Sequence, residues 1–178
     1  MQWFITFTNR VGGLVFAWLG PMCLIAGMAA IAGGAYALWQ SANPRSPWFA
    51  RKWAPACVMM FGFMLVGLTN LLNLTGATLG TTGSYGVGMS SYEQVNIGAW
   101  ANMTPAQAFV AVLGSFWLFW AATGAAICFR GVMAAIGVAK GTRRHGWGVP
   151  VVLFVSGSLV ARIDQVAASL VNLLPTGS

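Results

Sequence analysis

Two charged residues lie inside a predominantly apolar stretch near the end of the chain, and their position suggests chemistry. Arg162 and Asp164 follow Pro150 in a stretch that extends to Leu174. On one straight helix starting at Pro150, they would lie about 18 and 21 Å from its start. This depth falls inside a hydrocarbon layer roughly 30 Å thick. Charges at such a depth need partners or a wet cavity, so they predict either a proton or ion path or structural pairing.

We favour structural pairing over transport. Residues two positions apart on a helix face different directions, so Arg162 and Asp164 should pair with other helices or another subunit. A proton path needs a series of ionisable groups, and the other apolar stretches contain almost none. Arg130 ends the third apolar stretch, and we expect it to lie at the membrane interface. These three charges are our candidates for pairing between helices or between subunits.

The sequence lacks the common catalytic and metal-binding patterns. It has one histidine, His145, and three cysteines without metal-site spacing: Cys23, Cys57 and Cys128. Paired carboxylates, a serine triad and a glycine-rich phosphate loop followed by Lys-Ser/Thr are also missing. We therefore expect no enzymatic activity and no metal or organic cofactor.

Six of the nine basic residues lie in two short connections between apolar stretches. They are Arg45, Arg51 and Lys52 in the first connection, and Lys140, Arg143 and Arg144 in the second. The long middle connection, about residues 75–104, has no Lys or Arg and one acid, Glu93. Short Lys/Arg-rich loops stay cytoplasmic, so both termini and the middle connection should be outside. At the cytoplasmic leaflet the basic tips should meet anionic phospholipid headgroups.

The apolar stretches predict an all-α integral membrane protein. The chain is 58% hydrophobic and 6% charged, whereas soluble domains are roughly 25% charged. Stretches at 11–39, 55–74, 105–129 and 150–174 each have the roughly 20 apolar residues that cross a bilayer. We expect four helices as two tandem helical hairpins with basic cytoplasmic tips. Residues 1–80 form the first hairpin, 81–104 an extracytoplasmic linker, and 105–178 the second hairpin.

Proline and glycine refine these predictions. Gly20-Pro21 interrupts the first stretch and predicts a kink there. The third stretch is followed by a Gly/Ala-rich segment to Ala139, which we expect to continue as helix beyond Arg130. The hairpins also resemble each other, because basic residues, a Trp and then Pro55 or Pro150 open the second helix of each. Gly62 and Gly157 each follow that proline by seven residues, which favours a duplicated hairpin.

Two blocks of the sequence resemble small multi-span membrane proteins of type IVB secretion and conjugation systems (the IcmC/DotE, IcmD/DotP and TraQ group). The first runs from Ile25 to Gly80 and contains Gly33-Gly34-Ala35, Arg51-Lys52, Pro55 and Asn73-Leu74-Thr75-Gly76. The second, Phe129 to Leu174, resembles the same pattern. Each hairpin is also similar to a conjugative pilin, with two apolar helices and a short basic tip. Arg162 and Asp164 have no match in this pattern.

The resemblance implies a pilin-like or channel-building subunit of a conjugative or type IV secretion apparatus. The pilin resemblance implies assembly with copies of itself into a helical filament, with the basic tips facing its lumen and phospholipid bound alongside as a partner. The subunit would contact other apparatus subunits, and transferred DNA or protein only through a lumen. The implied location is the bacterial inner membrane, or an extracellular pilus after assembly. The alternatives are a static accessory subunit of the same machine and a small proton-coupled transporter that uses Arg162 and Asp164.

Overall fold

The computed structural model describes residues 2–78, 105–142 and 146–173, and all regular secondary structure in these ranges is helical. The predicted linker at 81–104 lies outside the described residues. The first half contains α1 (Gln2–Gln40), a 3-10 turn (Phe49–Arg51), α2 (Ala54–Val66) and α3 (Leu68–Thr78). The second half contains α4 (Pro105–Ser115), α5 (Trp117–Ala139), α6 (Gly148–Ala161) and α7 (Ile163–Leu173).

Two of these helices, α1 over Trp3–Gln40 and α5, are long and apolar enough to cross a membrane. The others that qualify do so as bent pairs. The axes of α2 and α3 differ by 79°, and those of α6 and α7 by 72°. The described residues therefore contain two candidate membrane-crossing helices, or up to four if each bent pair counts as one crossing.

Three of the four predicted spans are thus interrupted, which the apolar pattern did not indicate. The breaks fall at Gly67, Phe116 and Arg162. The first span is instead longer than predicted and is not interrupted. Helix α1 is a single element that contains Pro21 and begins at Gln2 rather than near Val11. The expected helix beyond Arg130 is confirmed, because α5 continues to Ala139.

Glycine allows α1 and α2 to pack with their backbones in close contact. A Cβ atom on Gly27 would lie 2.8 Å from the carbonyl oxygen of Gly62, and one on Gly62 would lie 2.9 Å from that of Gly27. Seven residues further along α1, a Cβ atom on Gly34 would lie 3.1 Å from the Pro55 carbonyl oxygen. The order of these contacts makes the two helices antiparallel.

The same contacts recur between α5 and α6. A Cβ atom on Gly124 would lie 2.5 Å from the Gly157 carbonyl oxygen, and one on Gly157 would lie 2.8 Å from that of Gly124. Gly131, seven residues after Gly124, faces the Pro150 carbonyl oxygen as Gly34 faces that of Pro55. The breaks also correspond, because Gly67 follows Gly62, and Arg162 follows Gly157, by five residues. The two helix pairs therefore share one internal packing pattern.

The pairs meet around α5, which also packs against α1 and α2. One buried cluster joins Ala30 and Val58 of the first pair to Val132 and Ile136 of α5. A second cluster joins Cys23 and Leu72 to residues of α5 and α6. In contrast, α1 is buried along a single stripe. In the most apolar 18-residue stretch of each helix, 17% of the residues are buried in α1 and 56% are buried in α5.

Candidate functional site

The first basic connection is a series of turns held by short polar side chains. The Asn43 side-chain oxygen accepts a hydrogen bond from the Arg45 backbone N–H at 3.1 Å. The Ser46 hydroxyl accepts one from the Trp48 N–H at 3.3 Å. Such side chains stabilise turns by replacing a backbone acceptor. The turns leave the predicted site residues Arg45, Arg51 and Lys52 exposed.

A groove of about 680 Å³ opens between the end of α1 and this connection. It is lined by one basic side chain, several small polar groups and one indole ring. The lining residues are Trp39, Gln40, Ala42, Asn43, Arg45, Ser46 and Pro47. An arginine next to amide and hydroxyl groups can bind a phosphate, and the indole ring suits the apolar part of an amphipathic molecule. The groove can therefore accommodate an anionic headgroup.

The two connections lie next to each other. The guanidinium of Arg51 lies against Gly141, which follows the last residue of α5 by two positions and has a φ of +72°. Gly141 and Thr142 donate backbone hydrogen bonds to the carbonyls of Val138 and Gly137, the pattern of a glycine-terminated helix. The rings of Trp53 and Trp147, which precede α2 and α6, have centroids 6.4 Å apart. Lys52 lies 4.8 Å from the centre of the Phe49 ring.

The second connection is described only in part. Lys140 is exposed directly after α5. The predicted site residues Arg143 and Arg144 lie outside the described residues. The structure therefore places Arg51 next to the start of this connection but gives no position for the remainder of the second basic trio.

An apolar groove of about 180 Å³ runs between α2, α5 and α6. Its lining includes Phe61, Val132, Phe154 and, near the connections, Trp147. The rings of Phe61 and Trp147 have centroids 5.9 Å apart. The groove is lined almost entirely by carbon, so it fits a hydrocarbon chain better than a polar ligand.

Arg162 is the most buried of the described charged residues, with 3% of its surface exposed. Its guanidinium donates hydrogen bonds to the Leu72 carbonyl of α3 at 3.4 Å and to the Gln165 side-chain oxygen at 3.3 Å. Arg162 is also the residue at which α6 ends. It therefore connects the end of α6, the start of α7 and the body of α3.

The position predicted for Asp164 on a continuous helix is wrong. The chain turns by 72° between α6 and α7, so Asp164 lies in the first turn of a new helix. A carboxylate is favoured there because the first turn of a helix presents unpaired N–H groups. Asp164 is half-buried. The distances of about 18 and 21 Å along one axis assumed a straight helix, which is not present.

Arg130 lies on an exposed face of α5, ten residues before Lys140. Its neighbour Gly131 packs against Phe154, within the first two turns of α6. A side chain at this level can extend toward the end of the bundle that carries the connections. The structure does not bring Arg130 together with Arg162.

One polar contact was not anticipated from the sequence. Asn9 of α1 is buried and donates a hydrogen bond to the Ser115 carbonyl at 2.8 Å. Ser115 is the last residue of α4, where the break at Phe116 leaves backbone carbonyls without their usual helical donors. The only signal in the sequence was an asparagine near the start of an apolar stretch, and its partner is 106 positions away.

The described residues contain no group of three or more His, Cys, Asp or Glu side chains that could hold a metal ion. The polar features described above are an exposed basic surface at one end, a buried arginine at one helix break and a buried asparagine that hydrogen-bonds at another. No protein-family model, curated protein or solved structure matches this chain.

Proposed function

We propose that this protein is a structural subunit of a multi-subunit membrane assembly, pilin-like or channel-building. The observation that carries the proposal is the one-sided burial of α1. A helix of 39 residues exposes large apolar side chains along most of its length, including Leu14, Trp18 and Ile25. Contiguous apolar surface on this scale is covered by lipid or by protein. The described residues also offer an exposed basic surface that can bind a partner.

In the proposed arrangement the two helix pairs are hairpins that cross the membrane in the same orientation, with each bent pair counted as one crossing. The basic connections are cytoplasmic and both termini are extracytoplasmic, in a bacterial inner membrane. The distribution of Lys and Arg supports this orientation. Trp39, Trp53 and Trp147 lie beside the connections, where interfacial aromatic residues are expected.

The bent ends fit this arrangement. As helices of 13 and 14 residues, α2 and α6 are only about 20 Å long, short of the roughly 30 Å hydrocarbon core. The chain then turns into α3 and α7. Apolar residues recur in α7 at Ile163, Val166, Ala167, Leu170 and Val171, a one-sided pattern typical of a helix in the interface plane. The outer leaflet would be thinned around the breaks at Gly67 and Arg162.

Anionic phospholipid is the proposed partner at the basic end. Arg45 lines the groove beside Trp39. Arg51 and Lys52 directly precede Trp53 in the sequence, and the Trp53 ring lies beside that of Trp147, which borders the carbon-lined groove. A headgroup could bind the basic side chains while an acyl chain follows the groove between α2 and α6. Each Lys or Arg near an anionic leaflet contributes about 1 kcal/mol to such binding.

The assignment to a conjugative or type IV secretion apparatus rests on the sequence resemblance. In that setting, copies of the subunit and phospholipid form a transfer conduit in the membrane or, after assembly, in an extracellular pilus. Other apparatus subunits would be partners, and DNA or protein would pass through the lumen. A static accessory subunit is the alternative within the same machine. For Arg162, hydrogen bonding to a backbone carbonyl favours a structural role over transport.

The orientation gives the first prediction. In a cysteine-free background, cysteines at Ser46 and Thr142 should be protected from an impermeant thiol reagent in intact cells. A cysteine at Ser84, in the middle connection, should react, since that segment has no basic residue to retain it. Lysed cells provide the control, in which all three sites should be labelled. Labelling at Ser46 without labelling at Ser84 would reverse the topology and remove the basis of the pilin comparison.

The second prediction tests the proposed function through assembly and lipid content. The protein extracted in mild detergent should form particles with many copies and a fixed molar ratio of anionic lipid, as measured by imaging, native mass spectrometry and lipid analysis. Replacing Arg45, Arg51 and Lys52 together with Gln should lower that ratio and impair assembly, because the headgroup loses its cationic partners.

Insertion should survive the triple replacement, since the apolar helices are unchanged. The matched control is Arg10→Gln, which removes an exposed charge from α1 far from the connections. Single-copy particles, or variable amounts of lipid with bulk-membrane composition, would contradict the proposal.

A further inference from the structure

The shared packing pattern gives each position of one helix pair a counterpart in the other. Residues of α1 and α5 correspond at a separation of 97 positions, as Gly27 does to Gly124. Residues of α2 and α6 correspond at 95 positions, as Gly62 does to Gly157. The neighbouring contacts agree with this register, since Gly62 faces Ile31 as Gly157 faces Cys128. The burial of counterpart residues can therefore be compared.

The face that α5 presents to the first helix pair is closed within the chain, whereas its counterpart on α1 is open. Ala125 is 1% exposed and its counterpart Met28 is 60% exposed. Ile136 is 5% exposed and its counterpart Trp39 is 74% exposed. The α1 outer face contains these two residues and three others that are also exposed. It comprises Ile25, Met28, Ala32, Ala35 and Trp39.

The converse comparison shows a second face that is less covered than its counterpart. Val58 and Leu65 of α2 are fully buried against α5, at 1% and 0% exposure. Their counterparts, Leu153 and Val160, are only partly buried. The first helix pair contacts α5 through one set of residues, and each of these residues has a counterpart in the second pair. We call these counterparts the α6 outer face. It comprises Val152, Leu153, Ser156 and Val160 of α6, together with the neighbouring Ile127 of α5.

The contact between the two pairs is not a two-fold one. Helix α2 packs against α5, but among the described residues α6 makes no comparable contact with α1. The contact within the chain therefore joins two different faces. The counterpart of each face, on the other helix pair, is not covered by a similar contact. A contact of this head-to-tail type can repeat from one molecule to the next, producing a ring or an open filament.

We infer that the α6 outer face of one molecule packs on the α1 outer face of a second copy, repeating the contact between the two helix pairs. The inference deepens the proposed function and rests on it, because it names the surfaces through which the copies associate. Continuity with the contact inside the chain supports a second copy as the occupant. The inference also places particular residues together: Val58 and Val132 share a buried cluster, so Leu153 should lie near Ala35 of the next molecule.

Paired cysteines test this geometry. In a background with Cys23, Cys57 and Cys128 replaced by Ala, the double variant Ala35→Cys and Leu153→Cys would be oxidised in native membranes. A disulfide needs Cα atoms within about 7 Å. The expected product is a reducible ladder of dimers, trimers and larger species on a denaturing gel, because each molecule has one cysteine on each open face. Each single-cysteine variant should remain monomeric.

The matched control is Gly33→Cys with Leu153→Cys. Gly33 lies about 3 Å from Ala35 along the helix axis but on a different face, and no atom lies within 4 Å of a Cβ atom built there. This control should give no ladder, and both variants should run as monomers after reduction.

The outcomes separate the interface from the proposed function. If the purified protein is multimeric but the ladder appears with Gly33, or stops at dimers, the proposed interface is wrong while assembly stands. If the protein is a single-copy particle and neither variant cross-links, lipid covers the α1 outer face, and the interface and the proposed function both fail.

Discussion

Replacing Gly124 with alanine should destabilise the helical bundle by roughly 3 kcal/mol, at the upper end of typical overpacking effects. The added methyl group would overlap backbone atoms of Ala161 and lie 2.5 Å from the carbonyl oxygen of Gly157. Backbone atoms cannot rotate away as a flexible side chain can, so α5 and α6 must separate. Separation loses contacts along the whole seam between the two helices. The unfolding midpoint would be measured in a denaturing-detergent titration, with helix content monitored by circular dichroism.

Two other glycines make this a graded series. The methyl group in Gly34→Ala would meet the Met59 side chain and lie 3.1 Å from the Pro55 carbonyl oxygen, so the effect should be smaller. The methyl group in Gly33→Ala would have no atom within 4 Å. The expected order of destabilisation is Gly124, then Gly34, then Gly33. Equal effects at Gly124 and Gly33 would show that helix propensity, and not close approach of α5 and α6, determines stability at these positions.

Composition and proline placement predicted the helical class and many helix positions. Pro105 begins α4, and Pro55 lies in the first turn of α2, where its missing N–H has little cost. Gly62 and Gly157 were linked to a repeat by their spacing from proline, and both lie at close backbone contacts. These features are local in sequence or follow from solvent preference, so they can be inferred without knowledge of tertiary contacts.

The helix breaks could not be inferred in this way. Neither Phe116 nor Arg162 is a helix-breaking residue, and both lie in stretches that are apolar enough to continue. At Phe116 the side chain of Asn9 donates a hydrogen bond to the Ser115 carbonyl, and at Arg162 the side chain of the break residue itself donates one to the Leu72 carbonyl of α3. A break inside an apolar environment depends on such partners. The partners lie 106 and 90 positions away, so only the tertiary structure identifies them.

For the candidate site as well, part could be predicted from the sequence and part depended on tertiary contacts. The charge pattern identified exposed basic connections, and Arg45, Arg51, Lys52 and Lys140 are exposed. The groove beside Trp39 was not anticipated, because it depends on how the turns after α1 fold back. The contact of Arg51 with Gly141 likewise depends on the packing of one helix pair against the other.

Arg162→Met should destabilise the bundle by about 2 kcal/mol and loosen α3 in particular. Methionine retains most of the unbranched stem but removes the donors to the Leu72 carbonyl and the Gln165 side chain. Hydrogen bonds to a charged group contribute about 1.5–3 kcal/mol, and the apolar replacement recovers part of this by avoiding burial of a charge. The denaturing-detergent titration measures the total effect, and hydrogen exchange of the α3 amides measures the local one.

Arg162→Lys should recover part of the loss, because an ammonium group can still donate to one of the two acceptors. Arg130→Met is the matched control: it makes the same chemical change on an exposed face of α5 and should change stability by less than about 0.5 kcal/mol. A transporter would behave differently. If Arg162→Met or Asp164→Asn left a stable, fully assembled protein that had lost proton-coupled uptake in proteoliposomes, the structural role would be wrong. The buried charges would then belong to a transport path, and the assembly function proposed for this protein would give way to it.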